Sequence, residues 1–445
     1  MSVRLNPGVA LRASALALVT AFASPGYGQT LLQVYRDALT NDPTFAAARA
    51  GYQASTEAVP QARAGLLPLV GASANVTRQK QEIDFGSGLT SDTNRTARGY
   101  AVQLSQPIFR WQNWESYEQA KLSVVAAEAN FVQAQQDLIL RVTQAYFDVL
   151  TAEDSLTFVR AQKVAISEAL ASAKRNFEVG TSTIVDQNDA QARYDLAVAQ
   201  EIAAENDLQV RRTALEQIVG KATGQLAALK PKVELPAPTP STITSWVTAA
   251  ESGNTGVRAA QANAEIAQRE ISRRRAGHYP TVDLVGTYSD TRNPATVNAN
   301  SIKTSSVGVQ VSVPLYAGGG TQSSVRQAVS QDEQARQNLE AARRVATQTA
   351  RQTFLGVTNG LAQVKALEAA EVSSQTSLEA NQLGYKVGVR VNIEVLNAQQ
   401  QLFQTRRDLS RARYETLLAS LRLKASTGQL SEQDLQQIDA LLVTK

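Results

Sequence analysis

Two kinds of periodicity divide this chain, and each of them occurs twice. Short stretches alternate apolar with small polar residues. Val70, Ala72, Ala74 and Val76 interleave with Gly71, Ser73, Asn75 and Thr77, and Tyr100, Val102 and Leu104 interleave with Ala101, Gln103 and Ser105. Further on, Val282 and Leu284 lead to Tyr288 with Asp283 and Thr287 on the other face, and Val307, Val309, Val311 and Val313 interleave with Ser306, Gly308, Gln310 and Ser312. A period of two with one apolar face predicts half-buried strands. About ten residues of such alternation is also the weak signature of a membrane-barrel strand. The strands form two hairpins, about 69–106 and 281–313, with polar loops across 80–98 and 290–304. Four strands cannot close a barrel, and open sheet edges are not tolerated in lipid, so either the sheet is soluble or several chains pool their strands.

Between the hairpins lie very long helical runs. Residues 111–179 contain neither Gly nor Pro, enough for about 100 Å of helix at 1.5 Å per residue. Residues 181–219 and 389–427 are likewise uninterrupted, and 321–383 is broken only by Gly356 and Gly360, where a bend or break is expected. In the last run Val395, Leu402, Leu409, Thr416 and Leu423 recur every seven residues, accompanied by Ala398, Thr405, Ala412 and Ala419. The earlier run offers Tyr194, Glu201, Leu208 and Leu215 with Ala190, Ala197, Ala204 and Arg211. A seven-residue repeat predicts coiled-coil packing along a seam, interrupted here by Glu201 and Arg211.

The whole unit is duplicated. Gln106-Pro107-Ile108-Phe109 returns as Val313-Pro314-Leu315-Tyr316, and Phe177-Glu178-Val179-Gly180 returns as Tyr385-Lys386-Val387-Gly388. Phe147, Leu215 and Gly220 return as Phe354, Leu423 and Gly428. An ordered recurrence at nearly fixed offset marks a structural repeat, such as half of a wall or tube. The predicted organisation is a signal peptide at 1–28, a first repeat at 29–235, a second at 236–430 and a C-terminal tail of the equatorial, mid-length region at 431–445, with a proline-rich crossing at 231–240.

Composition narrows the chemistry. Arg4 and Arg12 before the apolar stretch 13–23, with Gly26 and Gly28 near its end, read as a secretory signal. There is no cysteine, which removes disulfides, thiolate metal sites and an N-terminal lipid anchor, and His278 is the only histidine. The net charge of +4 is mild, and the arginine doublets sit in helical sequence as solvated faces, which argues against nucleic acid as a partner. Gly318-Gly319-Gly320 lacks the spaced glycines and Lys-Ser/Thr of a phosphate loop and reads as a strand-to-helix hinge. No catalytic constellation and no cofactor motif is visible. Acids such as Glu153-Asp154 or Glu201 and Glu205 lie on helix faces, so a hydrolase is disfavoured. A periplasmic coiled-coil adaptor is disfavoured by the paired hairpins.

Several segments carry a specific resemblance. Leu31-Leu32-Gln33-Val34-Tyr35, Gln144-Ala145-Tyr146-Phe147, Asp186-x-x-Asp189-Ala190, Gly277-His278-Tyr279-Pro280, Pro314-Leu315-Tyr316-x-Gly318-Gly319 and Ala425-x-x-Gly428-x-Leu430 are similar, in order, to the TolC family of outer-membrane secretion and efflux channels. The resemblance leans toward the type I secretion branch. It implies an α+β membrane protein: a homotrimer with a twelve-stranded outer-membrane barrel, four strands per chain, continued into a helical periplasmic tunnel. It further implies a periplasmic adaptor and an inner-membrane ABC or proton-driven pump as partners, outer-membrane lipid around the barrel, exported protein or drugs as cargo, and no enzyme activity. At the tip it implies a gate in which Asp186 meets Tyr385 and Arg390 reaches toward the opposing turn around Val185. It also implies a constriction ring that binds blocking cations. Here the ring would contain Glu394, Asn397 in place of a second acid, and Asp189 if that carboxylate points inward.

Overall fold

The computed structural model describes residues 28–84, 86–88, 90–231, 233–294 and 299–443. The expected signal segment lies outside them except for Gly28. After the short helices α1 (Leu31–Asn41), α2 (Pro43–Thr56) and α3 (Ala58–Ala64), the chain forms the hairpin β1 (Leu69–Asp84) and β2 (Thr90–Phe109). It continues into α4 (Trp111–Glu178) and returns as α5 (Ile184–Val219). A short strand β3 (Ala228–Leu229) and helices α6 (Ile243–Gly253) and α7 (Thr255–Arg275) lead to the second hairpin, β4 (Thr281–Arg292) and β5 (Ser301–Ser312). Then come α8 (Gly320–Lys386), α9 (Asn392–Ser426), α10 (Glu432–Asp439) and β6 (Leu442–Val443).

Both hairpins are longer than their loop composition suggests. β1 and β2 stay paired from Leu69 and Ser105 as far as Asp84 and Thr90, inside the span expected to be loop. β4 and β5 pair out to Arg292 and Ser301. Backbone pairing is indifferent to polarity, so a ribbon of Thr, Asn and charged residues can continue beyond the apolar part. The sheet order is β1-β2-β4-β5, with β2 joined antiparallel to β4, so the two repeats share one sheet with two open edges. Val307, at the β5 edge, is 82% exposed. At the base, Arg110 donates to both carboxylate oxygens of Asp283 at 2.7 Å, tying the exit of β2 to β4.

The helices confirm the seven-residue seams and explain their breaks. Ala190, Ala197, Leu208 and Leu215 are buried along α5, and Val395, Leu402, Leu409, Ala412 and Leu423 along α9. Glu201 leaves the apolar seam to pair with Lys163 and with Arg160 on α4 (Arg160 at 3.1 Å). Arg211 pairs with Asp148 of α4 at 3.6 Å and Asp207 at 3.3 Å. At mid-length a larger core forms, in which α1, α4, α5, α9 and α10 bury Leu31, Val34, Leu138, Tyr146, Leu150, Leu215, Leu417 and Leu435. The Tyr146 hydroxyl donates there to the carbonyls of Gln29 and Ala227, at 3.0 and 2.8 Å. The tail contributes to this core: β6 pairs with β3, and Leu442 is buried.

Gly356 and Gly360 do not break the second long helix, because α8 runs through both. Gly360 is a contact residue. A Cβ there would stand 2.5 Å from Thr416 Oγ1 of α9, a hydroxyl already committed to the Ala412 carbonyl at 2.7 Å. Gly356 meets nothing within 4 Å. Gly360→Ala is therefore expected to cost about 1–3 kcal/mol through overpacking, and Gly356→Ala to gain up to about 1 kcal/mol of helix propensity. The temperature at which detergent-solubilised trimers dissociate should fall for the first and hold or rise for the second. Equal shifts would rule out close helix approach as the reason for Gly360.

Candidate functional site

The far ends of the two long hairpins carry matching turns. α4 ends as Val179 N–H bonds the Arg175 carbonyl, Gly180 N–H the Phe177 carbonyl and Thr181 N–H the Asn176 carbonyl, at 3.1, 3.0 and 2.8 Å. α8 ends the same way, with Val387, Gly388 and Val389 bonding Leu383, Tyr385 and Gly384 at 3.1, 3.1 and 2.9 Å. This is the Schellman arrangement, and it needs a left-handed residue after the cap. Gly180 at φ 76° and Gly388 at φ 81° supply it. The repeated Val-Gly dipeptides are thus the turn signal itself.

The next helices start in related ways. Thr183 caps α5, with Asp186 as the reciprocal partner: the Asp186 carboxylate accepts from Thr183 N–H at 3.0 Å, Thr183 Oγ1 at 2.8 Å and Ser182 Oγ at 2.9 Å. These bonds, those to Thr183 first, hold its carboxyl below the usual carboxylate range. In the second repeat Val391 offers no side-chain acceptor, but Glu394 still reaches back to the Val391 N–H at 3.4 Å. Glu394 is therefore the structural counterpart of Asp186. It also receives Arg390 Nη1 at 3.0 Å, in a pair whose side chains are 55% and 38% exposed.

The sequence-predicted gate residues are brought to one end, with different partners from those expected. Within the protomer Asp186 does not bond Tyr385. Its carboxylate is taken up by the cap of α5, and the Tyr385 hydroxyl instead accepts from Asn176 Nδ2 at 3.2 Å. Arg390 reaches Glu394 on its own hairpin and not the turn around Val185 within this chain. Val185 is exposed. Asn397 is not an unattended neutral position: Arg193 of α5 donates to Asn397 Oδ1 at 2.8 Å and to Gln400 Oε1 at 3.2 Å. Asp189 is exposed one turn before Arg193. Beneath this layer Ile166, Ala197 and Leu396 pack together from α4, α5 and α9.

Arg193 and Asn176 were not singled out by sequence reasoning. Both act between the repeats, across more than two hundred residues, where local spacing carries no information. The repeat offset was the available signal, since it places Arg193 at the level of residues 397–401. Toward mid-length a further bond joins the hairpins: Asp154 of α4 accepts from Ser410 and from the Tyr414 hydroxyl of α9, the latter at 3.1 Å. Burial pushes the Asp154 carboxyl up.

Two long hairpins with matched tips, leading into a sheet with open edges, can be compared with known proteins. The family model described as outer membrane efflux protein matches residues 34–221 and 246–429, which are the two repeats. The chain belongs to this family. It is 34% identical to the outer membrane protein TolC of Vibrio cholerae, over 95% of this chain and 96% of that one. It is 31% identical to the proteases secretion protein PrtF of Dickeya chrysanthemi, over 96% and 95%. Its fold matches the outer membrane protein VceC of Vibrio cholerae at a TM-score of 0.77 and 18% identity, covering 89% of this chain and 96% of that one. It also matches the Campylobacter jejuni CmeC outer membrane channel at 0.77 and 16%, covering 99% and 98%. As an outer-membrane channel of this family the protein is not an enzyme. Its four strands close as part of a trimeric twelve-stranded barrel, and its helices extend into the periplasm. No helix among the described residues is long and apolar enough to cross a membrane.

Proposed function

We propose that this chain is the exit duct of a tripartite type I secretion system, and that its two periplasmic turns form the gate. The observation that carries the reading is the pair of equivalent Schellman turns at the ends of helices about 100 Å long, reached from a sheet that only further copies can close. Exposed Val179, Val185, Val387, Val389 and Val391 give the tip an apolar rim suited to a periplasmic adaptor, which links it to the inner-membrane pump. Asp186, Tyr385, Arg390 and Val185 are the gate residues. Glu394, Asn397 and Asp189 stand around the constriction behind them. The bonds Asp186 makes within its cap all fall on Oδ2, which leaves Oδ1 for the Arg390 of a neighbouring protomer. Protein cargo is favoured by the relatives PrtF and AprF, both described as protease secretion proteins. Drug efflux is favoured by BepC, described as an outer membrane efflux protein.

Deleting the chain from its host and measuring both exports separates the two cargoes. Loss of a protein from the culture medium with unchanged drug susceptibility is the expected result. A rise in drug susceptibility with an unchanged set of secreted proteins would replace the secretion reading with the efflux one.

A further inference from the structure

The lipid-facing side of the sheet can be followed row by row through the strand registers. Directly opposed residues of an antiparallel pair share a face. Val70, Leu104, Gly286 and Val307 form one row, and Ala72, Val102, Tyr288 and Ser305 the next. Tyr100 lies one row further out and meets the Tyr288 ring at 6.2 Å between centroids. Aromatic rings at the edge of an apolar band mark a membrane interface.

Beyond these tyrosines the same face turns cationic. Arg98 of β2 lies directly opposite Arg292 of β4, and Lys303 of β5 stands opposite Asp290 in the adjoining row. From Val282 to Arg292 is ten residues along one strand, about 34 Å, which at the usual barrel tilt is about 25 Å of height, the thickness of an outer-membrane apolar band. The helices leave from the opposite end of the strands, so this charged row sits at the headgroups of the outer leaflet.

Two arginines directly opposed across a strand pair repel one another. Neighbouring cations of the same hairpins are answered: Arg78 donates to Asn94 at 3.3 Å, and Lys80 pairs with Asp92 at 3.8 Å. Arg98, Arg292 and Lys303 form no ion pair among the described residues. The carboxylate in the cluster, Asp290, is 6% exposed and its Oδ1 is buried without a hydrogen-bond partner. Three cations against one carboxylate leave two net positive charges per protomer, repeated around the barrel by the threefold symmetry. An isolated sheet has no reason to hold such a row. A barrel whose outer rim meets phosphate does, because one phosphate between Arg98 and Arg292 turns repulsion into two charge-assisted bonds.

We propose that Arg98, Arg292 and Lys303 form a binding site for the phosphorylated headgroup of an outer-leaflet lipid, one site per protomer. The site lies on the lipid side of the barrel and is independent of the gate and of the cargo. Asp290 restrains the charge of the row, so that it accepts a headgroup without becoming a general polyanion trap.

The test uses assembled full-length trimers in nanodiscs containing phosphatidylethanolamine and a minor fraction of bisphosphorylated lipid A, read by native mass spectrometry of retained lipid. Wild-type trimers should retain lipid A on the order of tenfold over its share of the bilayer, given about 1 kcal/mol per basic residue near an anionic surface. Arg98→Gln with Arg292→Gln should bring the enrichment close to unity while leaving single-channel conductance unchanged. Dephosphorylated lipid A should show no enrichment, and raised salt should reduce that of the phosphorylated form. Unchanged enrichment in the double variant, or equal enrichment of the dephosphorylated lipid, overturns the proposal. Displacement of bound lipid A by inorganic phosphate at constant ionic strength and at a concentration no higher than that of the lipid would also overturn it, by showing a site for the free anion. Should the double variant not assemble, Lys303→Gln alone must lower the enrichment, and no change there overturns the proposal equally.

Discussion

Tyr385→Phe combined with Arg390→Ser is expected to raise single-channel conductance in planar bilayers several-fold, with open events dominating the record. Tyr385→Phe removes the hydroxyl that accepts from Asn176, a neutral bond worth about 0.5–1.5 kcal/mol. The Arg390–Glu394 pair inside one protomer is half exposed and is worth only about 0.3–0.5 kcal/mol. In the proposed gate that weakness lets Arg390 exchange Glu394 for Asp186 Oδ1 of an adjacent protomer, where a charge-assisted bond would add about 1.5–3 kcal/mol. A combined loss of about 2 kcal/mol per protomer is applied three times around the axis. The total, about 6 kcal/mol, matches the roughly 5.5 kcal/mol that carries a two-state equilibrium from mostly closed to mostly open.

Controls separate the latch from general damage. Asn176→Ala should match Tyr385→Phe, and the two together should not add, because they remove one bond. Asp186→Ala should act in part through the start of α5, costing about 0.5–2 kcal/mol of capping, and should lower thermal stability more than Arg390→Ser does. That capping contribution is present above the ordinary carboxyl value of 3.8 and fades as pH falls through the depressed folded value. Conductance of the Tyr385→Phe/Arg390→Ser trimer equal to that of the wild type would place the latch elsewhere.

Much of this architecture is legible in the residues because its determinants are local and repeated. Absence of Gly and Pro gives α4 its length, Val179-Gly180 and Val387-Gly388 mark the two turns, and alternation gives the strands. What is not legible depends on partners. Gly360 looks like a breaker until Thr416 is placed against it. The polar ends of β1 and β2 look like loop because pairing, and not composition, makes them strand. Residues 431–443 show no strand signal of their own, and only the placing of β3 explains β6 and the burial of Leu442 beside Leu435. The tip shows the same limit. Asp186 and Glu394 are recognisable as acids two residues into successive helices, yet whether each serves a cap, a latch or a ring depends on which cation stands beside it.

That dependence decides the behaviour of the constriction. In the proposed constriction, three Glu394 carboxylates near the threefold axis would by themselves favour cations and bind trivalent blockers. Arg390 holds Glu394 at 3.0 Å, however, and Arg193 stands on Asn397 at 2.8 Å, so with Asp189 exposed one turn before Arg193 two arginines face two acids and the local charge is balanced. Asn397→Asp by itself is therefore expected to change block by trivalent cations little, since the new carboxylate would form an ion pair with Arg193 in place of the present amide bond. Arg193→Gln alone should shift reversal potentials toward cations. The double variant, Arg193→Gln with Asn397→Asp, should give the large effect: three new acids per trimer with no arginine left to pair with them, beside the three Glu394–Arg390 pairs, with block tightened by on the order of tenfold or more and weakened again by salt. Glu394→Gln in that background should reverse about half of the gain, because it frees Arg390. Strong block from Asn397→Asp alone would mean that Arg193 does not neutralise this position in the assembled pore. An effect of Asp189→Asn exceeding that of Glu394→Gln would move the ring to the first repeat, one helical turn before the arginine that now screens it.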